Sequence, residues 1–154
     1  MAHERLRPQY LFDQERIDQL KQLAPECFED GKIKNTYRKQ HLVPFTEHFP
    51  YEKQLPLLYN LLLANDYNWW EKGYESVVFE TEEGIKFSTP ICFEDVFGYL
   101  NAGFVANGAD VIVNMTNDGW SKAVSAEMQH LGLAVFRSIE NRRTTVRGTN
   151  SGMT

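Results

Sequence analysis

The sequence predicts an α/β layered fold, and three observations carry that prediction. A β-like run from Ile85 to Ser88 leads through Thr89, Pro90 and Ile91 to Cys92, and a helix-like run from Val96 to Ala106 leaves it. Asn107-Gly108-Ala109-Asp110 stops that helix, with Gly108 suited to its C-terminal cap. Val111 to Met115 then reads as a short β-branched strand of the kind buried on both faces. Strand, helix and strand within about 30 residues make a crossover unit, the building block of a layered sheet.

The remaining elements follow in order. Residues 1–12 have no clear period, and Gln14 to Leu23 places Ile17, Leu20 and Leu23 on one side of a short helix capped by Asp13 and ended by Pro25. Glu29-Asp30-Gly31 is a turn, and Lys32 to Tyr37 alternates like a half-exposed strand. Pro44 and Pro50 make the next stretch a loop. Leu55 to Leu63 is a helix with Pro56 in its first turn. The adjacent Trp69 and Trp70 suit either a core or an apolar lip facing lipid. Ser76 to Glu80 and Ile85 to Ile91 form a hairpin around Thr81-Glu82-Glu83-Gly84. Thr116 to Trp120 is a loop at a strand end, where active-site loops of such sheets gather. A long helix from Ser125 to Asn141 carries Met128, Leu131, Val135 and Ile139 along one face, with Ala134 and Phe136 beside it. Arg142 and Arg143 in its last turn complement the helix dipole, and Thr144 to Gly148 opens a further strand.

Composition narrows the function. The 154 residues suffice for one domain with a core, and 42% of them are hydrophobic and 13% aromatic. A net charge of -5 gives no support to nucleic-acid binding. The two cysteines, Cys27 and Cys92, form no disulfide framework, and no His/Cys cluster has zinc-ligand spacing, so neither metal nor cofactor is expected. No run approaches the ~20 apolar residues of a membrane helix, and the N-terminus has no signal-peptide core.

Cys92 stands out because it occupies a strand-to-helix corner, where the chain turns sharply and the side chain points outward. Unpaired N–H groups and the dipole at a helix start favour an anion there, one route to a nucleophilic thiolate. The plain alternative is a small buried hydrophobe. For Lys39 and Glu47 the plain alternative is a solvated surface pair, and for His41 a satisfied structural histidine. Asn117 and Asp118 suit a loop-shaping role through side-chain-to-backbone hydrogen bonds.

Several segments together resemble the carbon-nitrogen hydrolase (nitrilase) superfamily, and within it the catalytic domain of the apolipoprotein N-acyltransferases. Tyr37-Arg38-Lys39-Gln40-His41-Leu42-Val43-Pro44-Phe45-Thr46-Glu47 is similar to the block holding the family's lysine, and Ile91-Cys92-Phe93-Glu94 to the nucleophile block. Thr116 to Trp120, Gln129-His130-Leu131, Arg137, Glu140, Arg142-Arg143 and Arg147 to Gly152 complete the pattern in order. The resemblance covers residues 29–154 as a partial α-β-β-α sandwich, with 1–28 poorly matched. Thr46 stands where the family usually has glycine, and Phe93 where the acyltransferases commonly have tyrosine.

The resemblance implies that Cys92 attacks an acyl carbonyl and forms a thioester. Lys39 and the Phe93 backbone N–H then face the oxyanion, with Glu47 and Glu94 as supporting carboxylates. It implies a phospholipid acyl donor, a lipoprotein N-terminal amine as acceptor, and a membrane surface reached through a parent protein whose catalytic domain lies on the periplasmic face of the inner membrane. Only 38 residues precede Lys39 and none matches the family's glutamate block. A fragment is therefore expected, lacking that base, the membrane helices and the final strands, and inactive alone. The alternatives are a soluble amidase of the same superfamily and a truncated remnant.

Overall fold

A computed structural model describes residues 28–29, 32–33, 35–65, 67, 69–119, 121 and 123–150. The helix expected over Gln14 to Leu23 and the tip of the Glu29-Asp30-Gly31 turn lie outside the described residues, as does Trp120. The chain divides into two compact units, residues 1–34 with 42–72, and residues 35–41 with 73–154.

In the first unit, β1 (Phe28–Glu29) pairs antiparallel with β2 (Lys32–Ile33). Of the strand expected over Lys32 to Tyr37, Lys32 and Ile33 are strand and residues 35–37 are not. Helix α1 (Pro56–Ala64) has Pro56 at its start, where a missing N–H costs nothing. None of its residues is buried, and Leu57 is 86% exposed. Phe49 is buried among Phe45, Tyr51, Tyr59 and Trp69, whose ring centroids lie 6.0 to 6.3 Å away. The two tryptophans therefore divide: Trp69 joins this aromatic cluster, and Trp70 is exposed.

The second unit contains a four-stranded sheet in the order β3-β4-β5-β6, formed by Phe79–Glu80, Lys86–Ser88, Val111–Thr116 and Thr144–Thr149. β3 and β4 are the expected hairpin, closed by Gly84 N–H donating to the Thr81 carbonyl at 2.9 Å, with Gly84 at φ 83°. β4, β5 and β6 run parallel, joined by the crossover helices α2 (Gly98–Ala106) and α3 (Val124–Asn141). Gly108 follows α2 at φ 99°, a backbone conformation that glycine adopts at no steric cost. Leu100, Phe104 and Ala109 form the core with Tyr37, Val78 and Phe97 packed against them.

Two expectations about apolar faces are corrected. β5 is buried on one face only: Ile112, Asn114 and Thr116 point inward, whereas Met115 is 60% exposed. Burial on both faces needs a layer on each side, and no described element covers the side of Met115 and Val146. On α3 the buried residues are His130, Ala134 and Arg137, while Met128, Val135, Phe136 and Ile139 face outward. The reason is the partner surface, since α3 packs on the polar turn that follows β4 and on the charged end of β6. His130 and Arg137 find charge and hydrogen-bond partners there, and the apolar stripe has none to offer. Arg142 and Arg143 fall just past the last turn, with Arg142 in the left-handed conformation at φ 50°.

Candidate active site

Parallel strands direct the loops at their carboxyl ends to one edge of the sheet. Cys92 follows β4 and Asp118 follows β5, so both lie at that edge. Pro90 has no N–H to continue the ladder of β4, and the chain turns at once into a 3-10 helix over Cys92–Val96. Cys92 adopts φ 55°, uncommon for a residue with a side chain. The turn is held from β5: Asn114 Nδ2 donates to the carbonyls of Pro90 at 3.1 Å and Cys92 at 2.9 Å, and Ile91 bridges Met115. The Cys92 side chain is neither exposed nor sealed, and its sulfur is a free thiol.

The helix start differs from the expected one. The α-helix begins at Gly98, after an extended Phe97 (φ -85°, ψ 101°) that breaks it from the 3-10 turn. Five residues of 3-10 helix carry little dipole, and Glu94 and Asp95 already occupy its first turn. An electrostatic pull on the thiol from a long helix is therefore not what this corner provides.

Glu94 joins the two sequence blocks. Its carboxylate is wholly buried and accepts four hydrogen bonds. Oε1 takes the backbone N–H groups of Gln40 at 2.6 Å and His41 at 2.9 Å. Oε2 takes the Tyr37 hydroxyl at 2.9 Å and the Ile91 N–H at 2.8 Å. One carboxylate thus pins the segment on both sides of Lys39 to the residue before Cys92. Burial, reinforced by the Glu94 charge, pushes the Tyr37 phenol well above its usual range, so it stays protonated and donates.

Lys39 is 3% exposed, which excludes the reading of a solvated surface lysine. Its carbonyl accepts the Gly73 N–H at 2.8 Å, and a Cβ on Gly73 would stand 2.1 Å from the Arg38 carbonyl oxygen. His41 is the structural histidine expected, stacked on Phe97 at 4.1 Å and hydrogen-bonded to the Tyr99 hydroxyl. Glu47 belongs to the other unit, where its Oε2 accepts the Val43 N–H at 2.8 Å and its carbonyl accepts the Trp70 N–H. Phe93 is partly exposed, with its ring 5.8 Å from Phe97 and 5.5 Å from His130.

Sequence reasoning missed a buried charge cluster made by Asp95, Asp118, His130 and Arg147. Asn117 does shape its loop, accepting the Gly119 N–H at 3.0 Å. Asp118 instead pairs with His130 and Arg147 side chains. The available signal was the polar spacing His130, Ala134, Arg137 on α3, a helical face hidden by the more conspicuous apolar stripe beside it.

The chain has relatives among known proteins. The carbon-nitrogen hydrolase family profile matches residues 27–153. Apolipoprotein N-acyltransferase 1 of Treponema denticola is 52% identical over 119 residues, covering 77% of this chain and 22% of that protein. Its namesake in Treponema pallidum is 54% identical over 118 residues, covering 77% and 21%. The chain thus spans about a fifth of the length of these relatives. Among solved structures, a Nesterenkonia AN1 amidase of the nitrilase superfamily superposes with a TM-score of 0.51 at 18% identity, over 77% of this chain and 37% of that one. The match at that identity speaks for the fold, and the family profile for the lineage: the chain belongs to the carbon-nitrogen hydrolase family.

Proposed function

We propose that this chain carries the nucleophile segment of an apolipoprotein N-acyltransferase. The observation that supports it most is the Glu94 carboxylate, which ties the Lys39 segment to the turn presenting Cys92. The names of the relatives point to the same reaction. In this reading the Cys92 thiolate attacks the ester carbonyl of a phospholipid, a C–S bond forms, and the lysophospholipid alkoxide leaves and takes a proton. The α-amine of a lipoprotein then attacks the thioester, forming an amide and returning the thiolate, and its proton passes to a base. Lys39 and the Phe93 N–H stabilise the oxyanion of each step, each such donor contributing about 3 kcal/mol. Glu94 is a positioning residue, since both its oxygens are occupied by donors, and Glu47 supports from its own loop. The base is a glutamate in the family, and no residue of this chain is assigned to it. In the same reading the enzyme works at a membrane, with this domain on the periplasmic face of the inner membrane. Among the described residues no helix is long and apolar enough to cross one.

The test is a graft of residues 27–153 into the Treponema denticola relative in place of its matching segment. The chimera is expected to transfer an acyl chain from phospholipid to a diacylated lipopeptide, with that activity lost on Cys92→Ala and reduced about 100-fold or more on Lys39→Met. Transfer that survives Cys92→Ala contradicts the reading. Hydrolysis of an added short-chain carboxamide to acid and ammonia, without acyl-peptide product, favours the amidase alternative.

A further inference from the structure

A 3-10 helix bonds each backbone N–H to the carbonyl three residues back. In the Cys92–Val96 turn the Glu94 N–H follows that rule, donating to the Ile91 carbonyl at 3.2 Å. By the same rule the Phe93 N–H belongs to the Pro90 carbonyl. Asn114 holds that carbonyl instead, its Nδ2 donating to Pro90 at 3.1 Å and to Cys92 at 2.9 Å. Among the described residues the Phe93 N–H then meets no acceptor.

The Cys92–Phe93 peptide bond is trans, so its carbonyl and its N–H point in opposite directions. The carbonyl faces Asn114 on β5. The N–H therefore points away from that strand, on the outer side of a turn in which Phe93 is 42% exposed. Asn114 is wholly buried, and because both groups it meets are carbonyls, its NH2 end must face them. Its Oδ1 is buried with no hydrogen-bond partner among the described residues. An orphaned buried oxygen is a cost that an apolar side chain at this place in β5 would not carry. The contribution of the asparagine is confined to the two carbonyls.

We propose that Asn114 is a positioning residue for acyl transfer. By drawing the Pro90 and Cys92 carbonyls to β5, it keeps the Phe93 N–H unbonded and aimed outward. When the Cys92 sulfur adds to an acyl carbonyl, the S–C bond forms and the π pair moves onto oxygen, and that oxygen accepts the waiting N–H. The role in transfer rests on the reading of Cys92 as nucleophile, whereas the open N–H does not.

Asn114→Leu removes the donor, refills the volume and deletes the orphaned oxygen, so the fold is expected to hold. In the 154-residue chain, the released Pro90 carbonyl is expected to take the Phe93 N–H, slowing amide exchange at Phe93 on the order of tenfold. Loss of a side chain that only braced the turn makes this amide faster. Phe93 exchange that is unchanged or faster overturns the proposal, and Asn114→Ala gives the same readout should the leucine not fit. In the chimera, Asn114→Leu is expected to slow thioester formation on Cys92 about 100-fold, the loss of one oxyanion donor. Alkylation of the same thiol by iodoacetamide makes no oxyanion and is expected to stay within about twofold. Equal losses in the two reactions, or thioester formation at the unsubstituted rate, overturn the positioning role. An unsubstituted chimera that transfers acyl chains with no adduct on Cys92 rejects the nucleophile reading and with it the role in transfer. Slowed Phe93 exchange in that case still supports the hold of Asn114 on the turn.

Discussion

Cys92 holds a backbone conformation that costs a residue with a Cβ about 1 kcal/mol, and its neighbours supply the restraint. Asn114 binds the carbonyls on either side of Ile91, and Glu94 binds the Ile91 N–H. Cys92→Gly is therefore expected to be more stable than Cys92→Ala by about 1 kcal/mol in urea unfolding. The reverse order, which an ordinary strand or helix position gives, contradicts a strained turn. Cys92, Lys39 and Glu94 were legible because their motifs are contiguous in sequence. The work of Glu94 was not: an ion-pair partner and a four-donor backbone anchor look alike in the string Cys92-Phe93-Glu94. The pairing of Asp95 with His130 spans 35 residues and depends on how α3 docks, which no local pattern encodes.

At the level of elements, the hairpin, the crossover and a strand after α3 followed from alternation, Gly84, Gly108 and β-branched runs, whereas the parallel pairing of β6 came from the structure. The orientation of α3 did not follow, because the apolar period of Met128, Val135 and Ile139 is real but points away from the sheet. Periodicity locates a helix and its stripe, and the partner surface decides which stripe is buried. Ile139, 65% exposed, is expected to accept Ile139→Gln at a cost under about 0.5 kcal/mol, whereas Ala134→Asp is expected to unfold the unit. Equal costs from chemical denaturation contradict the inverted docking. The Lys39 segment makes a second prediction. Because a Cβ on Gly73 would overlap the Arg38 carbonyl oxygen, Gly73→Ala must displace the backbone beside Lys39. The chimera carrying it is expected to lose acyl transfer by at least about tenfold while staying folded. Unchanged transfer contradicts the close approach.

For the whole molecule, the charge cluster and Tyr37 set the response to pH. His130 lies above its ordinary 6.5, so its contribution is complete below that value and is lost as pH rises through the raised one. Burial pushes Asp118 up, but its bonds to His130 and Arg147 bring it below the ordinary 3.8. Its contribution is present above 3.8 and is lost as pH falls through the lowered value. Tyr37, raised above 10.0, adds a further loss at the most alkaline pH. Stability is expected to peak between about pH 4 and 6.5 and to decline above it, with the neutral-to-alkaline decline absent in His130→Gln. A flat profile from pH 6 to 9 in the unsubstituted chain contradicts the upward shift of His130. The role of Cys92 is read out by mass spectrometry of the chimera incubated with phospholipid and no acceptor. A nucleophilic Cys92 gives a hydroxylamine-labile acyl adduct on the Cys92 peptide, absent in Cys92→Ala and discharged when lipopeptide is added. Acyl transfer that proceeds with no adduct on Cys92, or with the adduct on another residue, contradicts it.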